Sequence, residues 1–148
     1  VTGLGGAFGI GGLVGDAADG TTITASWASG AVSGNAITGG LVGGLQVGTT
    51  LDEGVAKGDV TGATGQTGGL VGRNDGAIAN SSAAGDVSDV NYSVGGLVGF
   101  SSAGSSITGS YSAQMARGKS CLSFATRRAR VGEEDSSARI ARPAPLPA

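Results

Sequence analysis

Small and apolar residues along the first 113 positions recur with a long period. The pentapeptide Gly-Gly-Leu-Val-Gly occurs four times, starting at Gly11, Gly39, Gly68 and Gly95, at intervals of 28, 29 and 27 residues. A second element follows each box, beginning at Ile23, Leu51, Ile78 and Ile107, and the first three copies close at Val32, Val60 and Val87. Inside it, small residues alternate: Ser26, Ala28 and Gly30, then Gly54, Ala56 and Gly58, then Ser81, Ala83 and Gly85. A period of two is the pattern of a strand with one buried face. The glycine content argues against a helix over the same stretch.

The positions between these small residues form another column, Trp27, Val55, Ser82 and Tyr111, followed two places on by Ser29, Lys57, Ala84 and Ala113. With the small face inward, this column faces solvent and its aromatics stand outside. Gly12 and Gly15, with their equivalents in each copy, fit bends flanking the short Leu-Val segment, because a corner needs positive φ or a close backbone approach. The third copy is two residues shorter between box and second element, which locates a loop there. One repeat alone carries too few large apolar side chains to offset about 1–2 kcal/mol of backbone entropy per ordered residue. Stability must come from stacking on neighbours. The expected fold is therefore all-β, a repetitive β-solenoid (parallel β-helix-like) with about four rungs of 27–29 residues over 1–113.

Composition supports this reading. The 148 residues include 31 glycines but only 3 phenylalanines, 1 tryptophan and 2 tyrosines, so anchors for a single compact core are scarce. An apolar fraction of 39% with low charge argues against a solvated disordered chain. With one cysteine, Cys121, and no histidine, an internal disulfide, Cys/His metal sites and histidine-based triads are excluded. No stretch approaches the roughly 18 apolar residues of a membrane helix.

The boxes, each followed by an Ile-x-x-Ser-[aromatic]-Ala-x-Gly-x-Val-like stretch, resemble the GLUG motif of bacterial surface and secreted proteins. The best copies are Ile23 to Val32 and Ile78 to Val87, and the resemblance spans about 1–113. It implies an extracellular or cell-surface β-solenoid module of the kind found in adhesins, haemagglutinin-like proteins and the non-catalytic parts of IgA-specific metallopeptidases. It implies no catalytic residue.

Both ends depart from the repeat. Val1-Thr2-Gly3 matches the end of the second element, as in Val32-Ser33-Gly34, so the chain reads as a piece of a longer array. After Ala113 the expected glycine and valine are replaced by Gln114-Met115-Ala116-Arg117, and only 2 glycines occur in 114–148. Charge changes as well: 1–113 holds 2 basic and 8 acidic side chains (net −6), whereas 114–148 holds 7 and 3 (net +4). Residues 114–148 thus form an Arg/Ala/Pro-rich tail, disordered or frameshifted.

Several residues invite a functional reading beside a plainer one. Trp27 and Tyr111 offer exposed aromatic area for carbohydrate or protein. Thr22 and Thr50 belong to a partial hydroxyl ladder of Thr21-Thr22, Thr49-Thr50 and Ser105-Ser106, broken by Gly76-Ala77, that suits ice binding or ordinary turns. Asp59 with Asp86, and the neighbourhoods of Asp16, Asp19, Asn74 and Asp75, raise calcium, although the nine-residue calcium-binding repeat is absent. Asp52-Glu53 is the only acidic pair within the repeats. The glycine boxes lack the strand–loop–helix context of a phosphate loop. Arg127 to Arg130 lacks the interleaved aromatics of a nucleic-acid site.

These residues make a structural or adhesive repeat module the expectation, with no intrinsic catalysis, cofactor or metal. Alternatives are a non-catalytic region flanking a secreted peptidase, or an ice- or carbohydrate-binding solenoid. Expected partners are a host-surface protein or carbohydrate, or neighbouring repeats of the parent protein. Nucleic acid is not expected, and membrane contact only through anchor regions outside the chain.

Overall fold

A computed structural model describes residues 1–3, 8–90, 93–114, 116–117 and 120–121. The chain winds as a β-solenoid, each coil contributing five short strands. The first coil holds β1 (Gly9–Gly11), β2 (Val14–Ala17), β3 (Thr22–Thr24), β4 (Trp27–Ala28) and β5 (Val32–Gly34). The second holds β6 (Ile37–Gly39), β7 (Val42–Leu45), β8 (Thr50–Asp52), β9 (Val55–Ala56) and β10 (Val60–Gly62). The third holds β11 (Thr67–Gly68), β12 (Val71–Asn74), β13 (Ala77–Ala79), β14 (Ser82–Ala83) and β15 (Val87–Asp89). The fourth holds β16 (Ser93–Gly95), β17 (Val98–Ser101), β18 (Ser106–Thr108), β19 (Tyr111–Ser112) and β20 (Ala116–Arg117), and β21 (Ser120–Cys121) follows.

Equivalent strands pair in parallel, giving five sheets whose orders are β1-β6-β11-β16-β21, β2-β7-β12-β17, β3-β8-β13-β18, β4-β9-β14-β19 and β5-β10-β15-β20. The register is that of the sequence repeat. Gly11 lies beside Gly39, Leu51 beside Ile23 and Ile78, and Val60 beside Val32 and Val87. At the start of the chain Thr2 bridges Ser33, so Val1-Thr2-Gly3 occupies the place its resemblance to Val32-Ser33-Gly34 suggests. Past Ala113, Ala116 and Arg117 pair with Val87 and Ser88, and Ser120 and Cys121 with Ser93 and Val94. Backbone pairing thus runs beyond the point where the side-chain repeat ends. The remainder of the tail, from 122 to 148, lies outside the described residues.

The second element differs from the single strand its period suggests. It breaks into three strands belonging to three sheets, because a residue with positive φ turns the chain between the first and second of them: Ala25 (φ 46), Glu53 (φ 54), Asn80 (φ 45) and Gly109 (φ 55). The alternation survives after this corner in the second and third coils, whereas in the first Gly30 is exposed. Ala56, Val60, Ala83 and Val87 are buried, while Trp27 and Tyr111 are exposed.

Columns of like residues fill the interior. Leu41, Leu70 and Leu97 are fully buried, as are Leu45, Leu51 and Ile78. Leu13, the first-coil equivalent of Leu41, Leu70 and Leu97, is 51% exposed, so residue type alone does not set burial. The glycine box lets the coils close on this core. A Cβ on Gly69 would overlap the Gly96 carbonyl and press on the Ala83 Cβ at 3.0 Å, and Gly40 meets Gly69 and Ala56 in the same way. Close approach, rather than positive φ, is therefore what the box glycines supply. The bend falls at Gly12 and Leu13, whereas Gly15 sits inside β2.

Candidate functional site

The face built by β4, β9, β14 and β19 carries the exposed aromatics. Its inward positions, Ala28, Ala56, Ala83 and Ser112, are small because the backbone of the glycine boxes lies against them. Its outward positions place Trp27 beside Val55, Val55 beside Ser82 and Ser82 beside Tyr111. Trp27 is 66% and Tyr111 54% exposed. With a strand spacing of about 4.8 Å the two aromatics stand about 14 Å apart along the axis, on either side of a low valine–serine floor.

The neighbouring face, built by β3, β8, β13 and β18, carries the hydroxyl column. Thr22 lies beside Thr50, Thr50 beside Ala77 and Ala77 beside Ser106, so the ladder is interrupted by one methyl. The preceding residues play another part. Thr49 Oγ1 donates to the Gln46 carbonyl at 2.6 Å and Ser105 Oγ to the Ser102 carbonyl at 2.7 Å, which ties each hydroxyl into its own turn.

Those turns explain the short third copy. In the other coils the N–H groups of Thr21, Thr49 and Ser105 close β-turns on Ala18, Gln46 and Ser102. Gly20, Gly48 and Gly104 take φ values of 77°, 75° and 91° there, at the turn position that favours glycine. In the third coil Asn74, fully buried, accepts the Gly76 N–H on its side-chain oxygen at 3.0 Å. An Asx turn thereby replaces a β-turn with two fewer residues.

The acidic candidates are distributed along the solenoid. Asp59 Oδ1 accepts the Asp86 N–H at 2.9 Å, so this stacked pair links consecutive coils. Asp52 accepts from Asn80 Nδ2 at 2.9 Å, and its neighbour Glu53 occupies the positive-φ corner. Asp75 pairs with Arg73 at 2.9 Å. Asp16, itself exposed, lies close to Gly9 and Gly44, and the partial loss of water there pushes its carboxyl up from the ordinary value of 3.8. Asp19 is exposed in its turn. Among the described residues, no three Cys, Asp or Glu side chains stand together as a metal cluster. Arg127 to Arg130 lies outside the described residues, and the Cys121 backbone pairs with Val94.

The repeat pattern conceals one set of structural residues. At the corner after Ile78, Ser81 Oγ donates to the Ala79 carbonyl and accepts the Gly54 N–H of the coil before, while Ser110 Oγ accepts the Ser81 N–H. The Ile-x-x-Ser spacing was the available signal for this ladder. Asn74 has no such repeat signal, its position in the neighbouring coils being Leu45 and Ser101, and only the local Asn-Asp-Gly turn sequence marks it.

Comparison with curated proteins and with solved structures returns no match. A family described as the GLUG motif matches residues 63–88. That stretch runs from the corner before β11 through β14 into β15, nearly one full coil, with its glycine box, its shortened turn and its second element. Residues 63–88 thus match the GLUG motif, within a chain whose other coils repeat the same box in the same register.

Proposed function

We propose that the chain is a structural or adhesive repeat module of a bacterial cell-surface or secreted protein, without catalysis of its own. The observation that carries this reading is the unbroken register of five parallel sheets through successive coils. A stack of that kind grows by adding coils and turns sequence length into reach, while its outward positions remain open to variation. The hydroxyls of Ser81, Ser110, Thr49 and Ser105 hold corners and turns, which suits a scaffold. Adhesion would belong to the outer face, where the line from Trp27 to Tyr111 supplies aromatic area for a protein or glycan partner.

Two measurements test this. Antibody raised against the chain should label intact cells of the source organism, whereas labelling only after permeabilisation contradicts a surface or secreted location. Beads coated with the protein should be retained on host-cell or glycan surfaces, and the double variant Trp27→Ala, Tyr111→Ala should lose most of that retention. Unchanged retention removes the aromatic face from the proposal.

A further inference from the structure

The shortened third coil leaves a notch in the solenoid wall. Its neighbours keep their protruding turns, with Gly48 in one and Gly104 in the other, and the space between them measures about 230 Å³. The floor is the Ala77 methyl and the Gly76 backbone, and Thr50 and Ser106 flank Ala77 one rung to either side, about 10 Å apart. Val47, 68% exposed, adds an apolar wall, and Asp75 contributes a carboxylate.

We infer that this notch is a binding site for one neutral pyranose ring, a monosaccharide or the terminal sugar of a glycan. Three observations select that chemistry. The volume falls below the roughly 300–1,000 Å³ of pockets for larger small molecules, so a single ring is the fitting size. The Asp75 charge is balanced by Arg73 at 2.9 Å, which leaves hydrogen-bonding capacity without a net charge to attract a free cation or anion. The surface pairs methyl groups of Ala77 and Val47 with hydroxyls of Thr50 and Ser106, the complement of a ring having an apolar face and an equatorial rim of hydroxyls. The site is separate from the Trp27–Tyr111 line and does not depend on the surface-module reading. A scaffold with an empty notch would still be a scaffold.

Titration of the full chain with glucose, galactose, mannose and N-acetylglucosamine, followed by amide NMR, tests the site. At least one sugar should give saturable shifts centred on Gly48, Gly76, Ala77 and Gly104. Ala77→Ile places a branched side chain over the floor, at an outward position whose neighbour Thr50 is already β-branched. It should weaken binding at least about tenfold while leaving the far-UV spectrum unchanged. Trp27→Ala should leave the shifts in place. The inference is overturned if none of the four sugars gives saturable shifts, if Ala77→Ile binds as well as the native chain, or if these amides respond to calcium chloride or phosphate but not to sugar.

Discussion

Gly54 donates its N–H to the Ser81 hydroxyl at 2.9 Å, across one coil boundary and 27 residues of sequence. Ser81, 1% exposed, in turn donates to the Ala79 carbonyl at 2.6 Å, so one hydroxyl satisfies a buried donor of the previous coil and an acceptor of its own. Ser81→Ala removes both bonds and strands the Gly54 N–H. The variant should lose about 1–3 kcal/mol, the cost of a buried polar group left unpaired. Urea unfolding of the two proteins measures the loss, and equal midpoints would show that the hydroxyl is dispensable.

The corner before that serine stores backbone strain in two coils. Glu53 has φ 54°, a left-handed conformation that costs an ordinary L-residue about 1–2 kcal/mol and that asparagine or glycine adopts more readily. The coils that follow place Asn80 and Gly109 at the same point. Glu53→Asn should therefore raise the melting temperature, and Asn80→Ala should lower it. A lower melting temperature for Glu53→Asn would mean that the glutamate side chain contributes more than its strained backbone costs.

Glycines of the chain are not equivalent. Gly69→Ala drives a methyl into the Gly96 carbonyl of the next coil and should cost roughly 3 kcal/mol or more. Gly30 has nothing within 4 Å of its would-be Cβ, so Gly30→Ala should be neutral or slightly stabilising through a less disordered unfolded chain. Comparable losses for both variants would contradict the close coil-to-coil approach described for the box.

Asp16 gives a pH dependence of defined sign. Desolvation raises its carboxyl pKa in the folded state above the ordinary 3.8, so the fold favours the protonated form. Its favourable contribution is present below that ordinary value and is lost as pH rises through the raised one. Asp16→Asn should gain stability relative to the native protein at pH 7 and show less advantage at pH 3. Melting curves at both values check it, and an advantage larger at acid pH would reverse the assignment.

Much of this architecture was legible because a solenoid repeats its physics along with its sequence. The box at Gly11, Gly39, Gly68 and Gly95 disclosed the coil length, and the alternation from Gly54 to Val60 disclosed the inward face. The corners were harder to read. Ala25 and Glu53 are not residues that advertise a left-handed backbone, so the second element looked like one strand where there are three. Thr21-Thr22 and its equivalents looked like one ladder, whereas neighbouring residues divide between a turn and the outer face. The notch was visible only as a two-residue deletion. What fills that deletion is the carboxamide of Asn74, whose bond to the Gly76 N–H is a local Asx-turn preference, while its full burial comes from the coils on either side.

Proximity between coils tests the stacking itself most directly. In a Cys121→Ser background, pyrene attached at Thr22→Cys and Thr50→Cys, which are register partners on adjacent coils, should give strong excimer emission. Pyrene at Thr22→Cys and Ser106→Cys, separated by three coil spacings or about 14 Å, should emit mainly as monomer. Indistinguishable spectra from the two labelled proteins would contradict the in-register solenoid on which this account rests.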